Sequence, residues 1–210
     1  MTIQHVFFNV HFDGQSKTFT QAELSEFAHT VGLDRVVKDR YSWLFVMRLF
    51  LYMQVHGINP FQIIAEIKVL EEDALSTGTK TATQFSHFPL KGLWHKHYFC
   101  ARFIAKNIVN ELSGGRLSAL VEEVLDPARS PIITDEMIKE LSHRVVHETL
   151  EGRQAQGKLT GEWIIFAKHG GKNYYLSLST HNAGDQAIFD EIKSICYPQF
   201  PFLKSAAWLL

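Results

Sequence analysis

Apolar and polar positions along the chain follow two rhythms, helical through most of its length and strand-like near its beginning and toward its end. Gln4–Phe12 (QHVFFNVHF) is rich in strand formers and runs into Asp13-Gly14, a turn signal, so a first strand is predicted there. Thr20-Gln21-Ala22-Glu23 has the capping-box pattern, and Leu24, Phe27, Ala28 and Val31 follow at helical spacing up to Gly32. A longer helix is expected over Asp34–Val55, ending at His56-Gly57. Asn59-Pro60 then opens another over Pro60–Glu72, with the proline in its first turn. These helices predict a compact N-terminal bundle.

Ala74–Ser86 (ALSTGTKTATQFS) is polar and without periodicity, which suits a linker or mobile loop. Further helices are expected over Phe99–Leu112, Leu117–Leu125, Asp135–Glu151 and Asp185–Cys196, and Gly152–Gly161 reads as a polar connection. The strand rhythm returns in Glu162–His181 (EWIIFAKHGGKNYYLSLSTH). Trp163–Ala167 and Tyr174–Leu178 are β-branched, aromatic and aliphatic, with Gly170-Gly171 between them as a two-residue turn. That turn sets Trp163 opposite Leu178, Ile165 opposite Leu176 and Ala167 opposite Tyr174, an apolar core face. The other face would then carry Glu162, Lys168, Asn173, Tyr175, Ser177, Ser179 and His181, interrupted by Ile164 and Phe166, as a polar surface suited to binding. A one-residue slip would reverse the two faces. The expected fold class is α+β: a helical N-terminal region over 1–73, a linker over 74–87, and an α+β part over 88–210 built on a small antiparallel sheet flanked by helices.

Composition adds few constraints. The 210 residues are 46% hydrophobic and 20% charged, ordinary globular material, and the formal net charge is -1. Attraction to a polyanion must therefore come from local clustering. The cysteines, Cys100 and Cys196, are too few and too separated for a zinc motif, and two reduced thiols are expected. No signal-peptide pattern opens the sequence. The most apolar run, Trp43–Met53, is too short to span a bilayer and contains Arg48. A cytoplasmic protein with no membrane association is the expectation.

The chemistry concentrates in Phe88–Phe99 (FPLKGLWHKHYF), where Lys91, His95, Lys96 and His97 sit among aromatic groups. In a strand His95 and His97 share a face and can act as an acid–base pair or bind a metal; on a helix they point nearly opposite ways. No HExxH, CxxC or carboxylate-rich loop completes a metal shell, so neither metal nor cofactor is expected. Metal-independent RNA cleavage needs a base for the 2′-hydroxyl, an acid for the 5′-oxygen and a cation beside the transition state. His95, His97, Lys168 and His181 are the catalytic candidates. Lys91, Trp94, Lys96, Tyr175, Ser179 and Thr180 are the substrate-binding candidates, the aromatics serving to stack a base. Each also has a structural explanation: a histidine satisfying the backbone, lysines solvated at a hairpin end, or His181 capping the next helix.

GLWHKHYF, followed after a helical region by GEWIIFAKHGGKNYYLSLSTH and a closing helix, resembles the pattern of the barnase–EndoU–colicin–RelE nuclease superfamily over about Phe88–Leu203. The resemblance implies helices packed on a small antiparallel sheet whose face carries His, Lys and hydroxyl groups. It also implies ribonuclease activity of a bacterial or phage-borne toxin or defence effector, RNA as substrate and a neutralising protein partner. His95, His97, Lys168 and His181 are the positions it carries over. Three other classes compete: a non-catalytic module binding nucleic acid or protein, an enzyme acting on a nucleotide or other phosphorylated small molecule, and a structural protein.

Overall fold

A computed structural model of the chain describes residues 7–12, 15–72, 74–75, 77–100, 103–159, 161–180 and 182–204. The element order is β1 (Phe7–Phe12), β2 (Gln15–Thr20), α1 (Gln21–Thr30), α2 (Leu33–Val37), α3 (Trp43–His56), α4 (Pro60–Leu70), β3 (Thr83–Gln84), β4 (Trp94–Tyr98), α5 (Ile104–Leu112), α6 (Arg116–Val124), α7 (Asp135–His143), α8 (Thr149–Ala155), β5 (Glu162–His169), β6 (Lys172–Ser179), α9 (Asp185–Glu191) and α10 (Tyr197–Gln199). Short π-helical turns, Arg144–Glu148 and Ile192–Cys196, join α7 to α8 and α9 to α10. The fold is α+β, with small antiparallel sheets. Among the described residues no helix is long and apolar enough to cross a membrane.

The chain divides into two compact units, and not along the expected 1–73, 74–87 and 88–210 partition. The first contains 1–75, 81–98 and 162–210; the second contains 76–80 and 99–161. The first 75 residues thus belong with the four-stranded sheet, because that sheet needs helices α3 and α4 to cover one of its faces. The expected linker is not featureless either: it supplies β3.

In the first unit the sheet runs in the order β3-β4-β5-β6, all antiparallel. Gly170 (φ 56) and Gly171 (φ 74) both take left-handed conformations, as a tight two-residue hairpin turn demands. The expected register holds from His169↔Lys172 to Phe166↔Tyr175, then a β-bulge between Ile165 and Phe166 shifts it by one residue. Beyond the bulge Ile165 lies opposite Ser177, Ile164 opposite Leu178 and Trp163 opposite Ser179. This corrects the expected Trp163–Leu178 and Ile165–Leu176 pairs, and it places Ser177 and Ser179 on the face opposite Tyr175.

Both faces of the sheet are covered. Ile164, Ile165, Phe166 and Ala167 are all fully buried, so β5 is a central strand and not one side of an open binding surface. On one face Ile165, Ala167 and Leu176 pack with Leu90, Leu93, Ile188, Ile192, Cys196 and Leu203. Each fully buried leucine or isoleucine among them contributes about 1.5–3 kcal/mol. On the other face Phe45 of α3 lies against Tyr175 (centroids 6.0 Å) and Glu66 of α4 reaches Lys96. Cys196 is buried in this unit, as Cys100 is in the other.

The helix expected over Asp34–Val55 is broken. Asp39 takes φ 62, and residues 40–42 leave the helix to lie beside β6: the Tyr175 amide donates to the Arg40 carbonyl, and the Ser42 amide to the Tyr175 carbonyl, both at 2.8 Å. Ser42 then caps α3 by accepting from the Phe45 amide (2.9 Å). Covering part of the β6 edge outweighs the continuity of the helical pattern. The N-terminal region also contains a hairpin where one strand was expected, β1 pairing with β2 from Phe7↔Thr20 to Phe12↔Gln15. The expected turn at Asp13-Gly14 lies outside the described residues. Thr20 and Glu23 form the expected capping box.

The second unit is helical. Its centre is Arg153 on α8, only 8% exposed, whose guanidinium donates to Asn107 Oδ1 (3.2 Å), Glu111 Oε2 (3.1 Å) and the Lys158 carbonyl (2.6 Å). One side chain thus ties α5, α8 and the segment after α8 together, with its charge neutralised by Glu111. The helix expected to end at Glu151 continues to Ala155.

Candidate functional site

The stretch WHKHY forms strand β4, which settles the choice between strand and helix for the two histidines. Strand residues alternate between faces, so the register Trp94↔Phe166, His95↔Ile165, Lys96↔Ile164, His97↔Trp163 and Tyr98↔Glu162 sorts the candidates. His95 and His97 share one face with Trp163 and, beyond the bulge, with Ser177 and Ser179. Trp94 and Lys96 share the opposite face with Phe166, Lys168 and Tyr175.

On the first face the His95 and His97 rings meet edge to face, centroids 5.6 Å apart. His95 also lies 4.5 Å from the Phe85 ring and 5.2 Å from the Trp163 ring. Its Nε2 is 3.0 Å from the Thr83 hydroxyl, a contact open to solvent on the two-residue edge strand β3. His95 is half-buried, whereas His97 is 6% exposed. Ser179 is in the same row, across Trp163 from His97; its hydroxyl donates to the Thr180 carbonyl (3.3 Å). The arrangement therefore offers two neighbouring imidazoles, an aromatic wall and a hydroxyl at the accessible nitrogen. It is able to take up and deliver protons at adjacent positions.

Three expected assignments are corrected. Lys168 is on the face away from His95 and His97, with its Nζ 4.0 Å above the Trp94 ring, so it cannot serve as the cation beside the imidazoles. Lys96 pairs with Glu66 (Nζ to Oε2 3.2 Å), and both side chains are sealed from solvent at 4% and 3% exposure. Tyr175 is fully buried and donates to Glu71 Oε1 at 2.7 Å. Burial raises its phenol pKa, and the carboxylate it bonds raises it further. Lys96 and Tyr175 are thus both engaged inside the protein, by Glu66 and Glu71 respectively. Lys91 is exposed in the loop before β4, 5.1 Å from the Phe88 ring. Thr180 is half-buried at the end of β6. His181 lies outside the described residues.

Glu71 anchors a second polar cluster. It accepts from Arg40 (2.5 Å), Tyr175 and Asn173 (3.1 Å), while the Arg40 guanidinium also donates to the Asn173 carbonyl (2.9 Å). Burial works against ionisation of Glu71, but the hydrogen bonds from Arg40, Tyr175 and Asn173 together outweigh it and hold the carboxyl below its usual range. Both carboxylate oxygens are engaged, so this cluster ties α4 and residue 40 to the hairpin. Among the described residues no group of three His, Cys, Asp or Glu is placed to hold a metal ion.

Sequence reasoning missed Thr83 and Phe85, which complete the surroundings of His95. They lie in a Thr- and Ser-rich stretch too short to show a period; the alternation of Thr81, Thr83 and Phe85 was the available signal. Compared with known proteins, the chain matches no family model, no curated protein and no solved structure.

Proposed function

We propose that the chain is a metal-independent endoribonuclease in which His95 and His97 carry the proton transfers. The observation that supports this reading is the imidazole pair itself, 5.6 Å between ring centroids on one sheet face, with the Thr83 hydroxyl at His95 Nε2. One imidazole, neutral, removes the 2′-hydroxyl proton as the 2′-oxygen attacks phosphorus. The other, protonated, delivers a proton to the 5′-oxygen as the P–O5′ bond breaks. The products are a 2′,3′-cyclic phosphate and a free 5′-hydroxyl, and the protonated ring supplies the positive charge beside the transition state. On this reading the protein acts in the cytoplasm as a toxin or defence effector held in check by a neutralising partner.

The test is incubation of purified protein with total RNA and tRNA in EDTA, followed by analysis of fragment ends. Discrete fragments ending in 2′,3′-cyclic phosphate, lost in His95→Ala and His97→Ala variants that remain folded, are the expected result. Intact RNA from folded wild-type protein would overturn the proposal.

A further inference from the structure

Away from the sheet, two histidines that the cleavage reading does not use meet on one helix face. His143 ends α7, and His147 lies four residues on, in the π-helical turn Arg144–Glu148 that leads into α8. A spacing of four makes side chains neighbours on a helix surface. The two imidazoles are 5.2 Å apart between ring centroids, with 28° between their planes. Both rings are exposed. With Ile138, Lys139, Ser142 and Val146 they line a shallow groove of about 400 Å³ that opens to solvent. Glu148 places one carboxylate oxygen 3.7 Å from His143 Nδ1 and the other 3.4 Å from Arg144 Nε.

The ring separation fits a shared metal ion. Zinc–nitrogen bonds of about 2.0–2.1 Å place the ring centres of two histidines on one tetrahedral ion roughly 5 Å apart. Turning an imidazole about its Cβ–Cγ bond, a soft torsion, swings the ring nitrogens while leaving the ring centre in place. Exposed rings at this separation therefore reach a common ion without movement of the helix. A ligating histidine is commonly held by a carboxylate at its other ring nitrogen. Glu148, beside Nδ1 of His143, stands in that place and leaves Nε2 for the metal. Imidazole suits zinc, copper and nickel, whereas magnesium and calcium take oxygen ligands. Among the described residues no third His, Cys, Asp or Glu is placed to join the pair as a ligand, so water from the open groove fills the remaining positions.

We propose that His143 and His147 chelate one divalent transition-metal ion of the imidazole-seeking kind, zinc above all, on the surface of the helical unit. Glu148 is a positioning residue that orients His143. The bound ion joins the end of α7 to the π-helical turn, and so fastens the helix where its hydrogen bonding changes register. None of the sheet residues takes part, so the site stands or falls independently of the cleavage reading.

The probe is Zn²⁺ alone, titrated calorimetrically into the metal-stripped full chain, with Mg²⁺ as the control ion. The tightest site should hold one ion per chain and should not be displaced by excess Mg²⁺. Loss of an outer carboxylate costs about 10–100-fold in metal affinity. His143→Asn and His147→Asn, each removing a ligand, should lose at least that much, and Glu148→Gln roughly tenfold with the stoichiometry kept. His143, His147 and Glu148 are exposed, so these variants are expected to fold, which circular dichroism without metal checks. His95→Ala should bind as wild type does, which separates this site from the imidazole pair on the sheet. Zn²⁺ should also slow amide hydrogen exchange over residues 143–148, and only while both histidines are present. No binding of millimolar Zn²⁺, an unchanged affinity in either histidine variant, or loss of the site in His95→Ala would each overturn the inference.

Discussion

Lys96 and Glu66 form an ion pair inside the protein, Nζ to Oε2 3.2 Å, linking strand β4 to helix α4 from positions 4% and 3% exposed. Taking both charges out of water is expensive, and their mutual attraction offsets that cost only while both are present. Glu66→Gln or Lys96→Met, removing one partner, should destabilise the protein by about 3–5 kcal/mol. The double change Lys96→Met with Glu66→Leu should recover most of that loss. Urea denaturation of the three variants measures both effects. If the single variants unfold like wild type, the pair is not the buried bridge described.

The same pair shows what the sequence could and could not reveal. Lys96 was read with its neighbours as part of a basic, aromatic stretch, and nothing local marks it as inward-facing. Its partner is thirty residues away on a helix whose own pattern explains itself. The late hairpin was legible because Gly170-Gly171 and the β-branched runs are local signals, and the capping box at Thr20 and Glu23 was legible for the same reason. The bulge between Ile165 and Phe166 was not. No local signal in either strand marks that one-residue shift, which moved Ser177 and Ser179 away from Tyr175. Of the candidate site, alternation in β4 placed His95 and His97 together, but the face taken by Lys168 followed from a register no single strand encodes.

Glu71 makes stability depend on pH. Its carboxyl is held below the usual range in the folded protein, because the hydrogen bonds from Arg40, Tyr175 and Asn173 outweigh the opposing effect of burial. A depressed folded pKa means the contribution is fully present above the unfolded carboxylate value, about 4.3, and is lost as pH falls through the folded value. Glu71→Gln should start less stable at pH 7 and lose less than wild type on acidification. Urea midpoints from pH 7 to pH 3 test this. Parallel curves for the two proteins would show that Glu71 does not contribute to the acid limb.

Gly78 in the second unit has φ +80, and a Cβ there would lie 2.5 Å from Gln154 Cγ and 2.7 Å from the Gln154 carbonyl oxygen. Gly171, at φ +74, has open space around the same position. Gly171→Ala should therefore cost only the left-handed backbone term, about 1–2 kcal/mol. Gly78→Ala adds a clash with backbone and should cost clearly more. Thermal unfolding of the two variants ranks them, and a milder effect at Gly78 would contradict the close approach of Gln154.

Lys168 separates the expectation from sequence from the reading of the fold. A transition-state cation, once removed, lowers kcat, whereas a side chain that only holds the substrate elsewhere raises KM and leaves kcat unchanged. Lys168 sits over Trp94 on the face opposite His95 and His97. On the proposed cleavage reading, Lys168→Ala should therefore leave kcat for a single-stranded RNA substrate unchanged, while His95→Ala removes it. The wild-type rate should also follow a bell-shaped pH profile, because one imidazole must be neutral and its neighbour protonated at once. In Lys168→Ala the profile should keep its shape, since that lysine is in contact with neither ring. Steady-state kinetics with a fluorogenic oligoribonucleotide across pH 5–8 measures both quantities. A loss of kcat in Lys168→Ala equal to that in His95→Ala would return Lys168 to the reacting centre and overturn the assignment of faces to function.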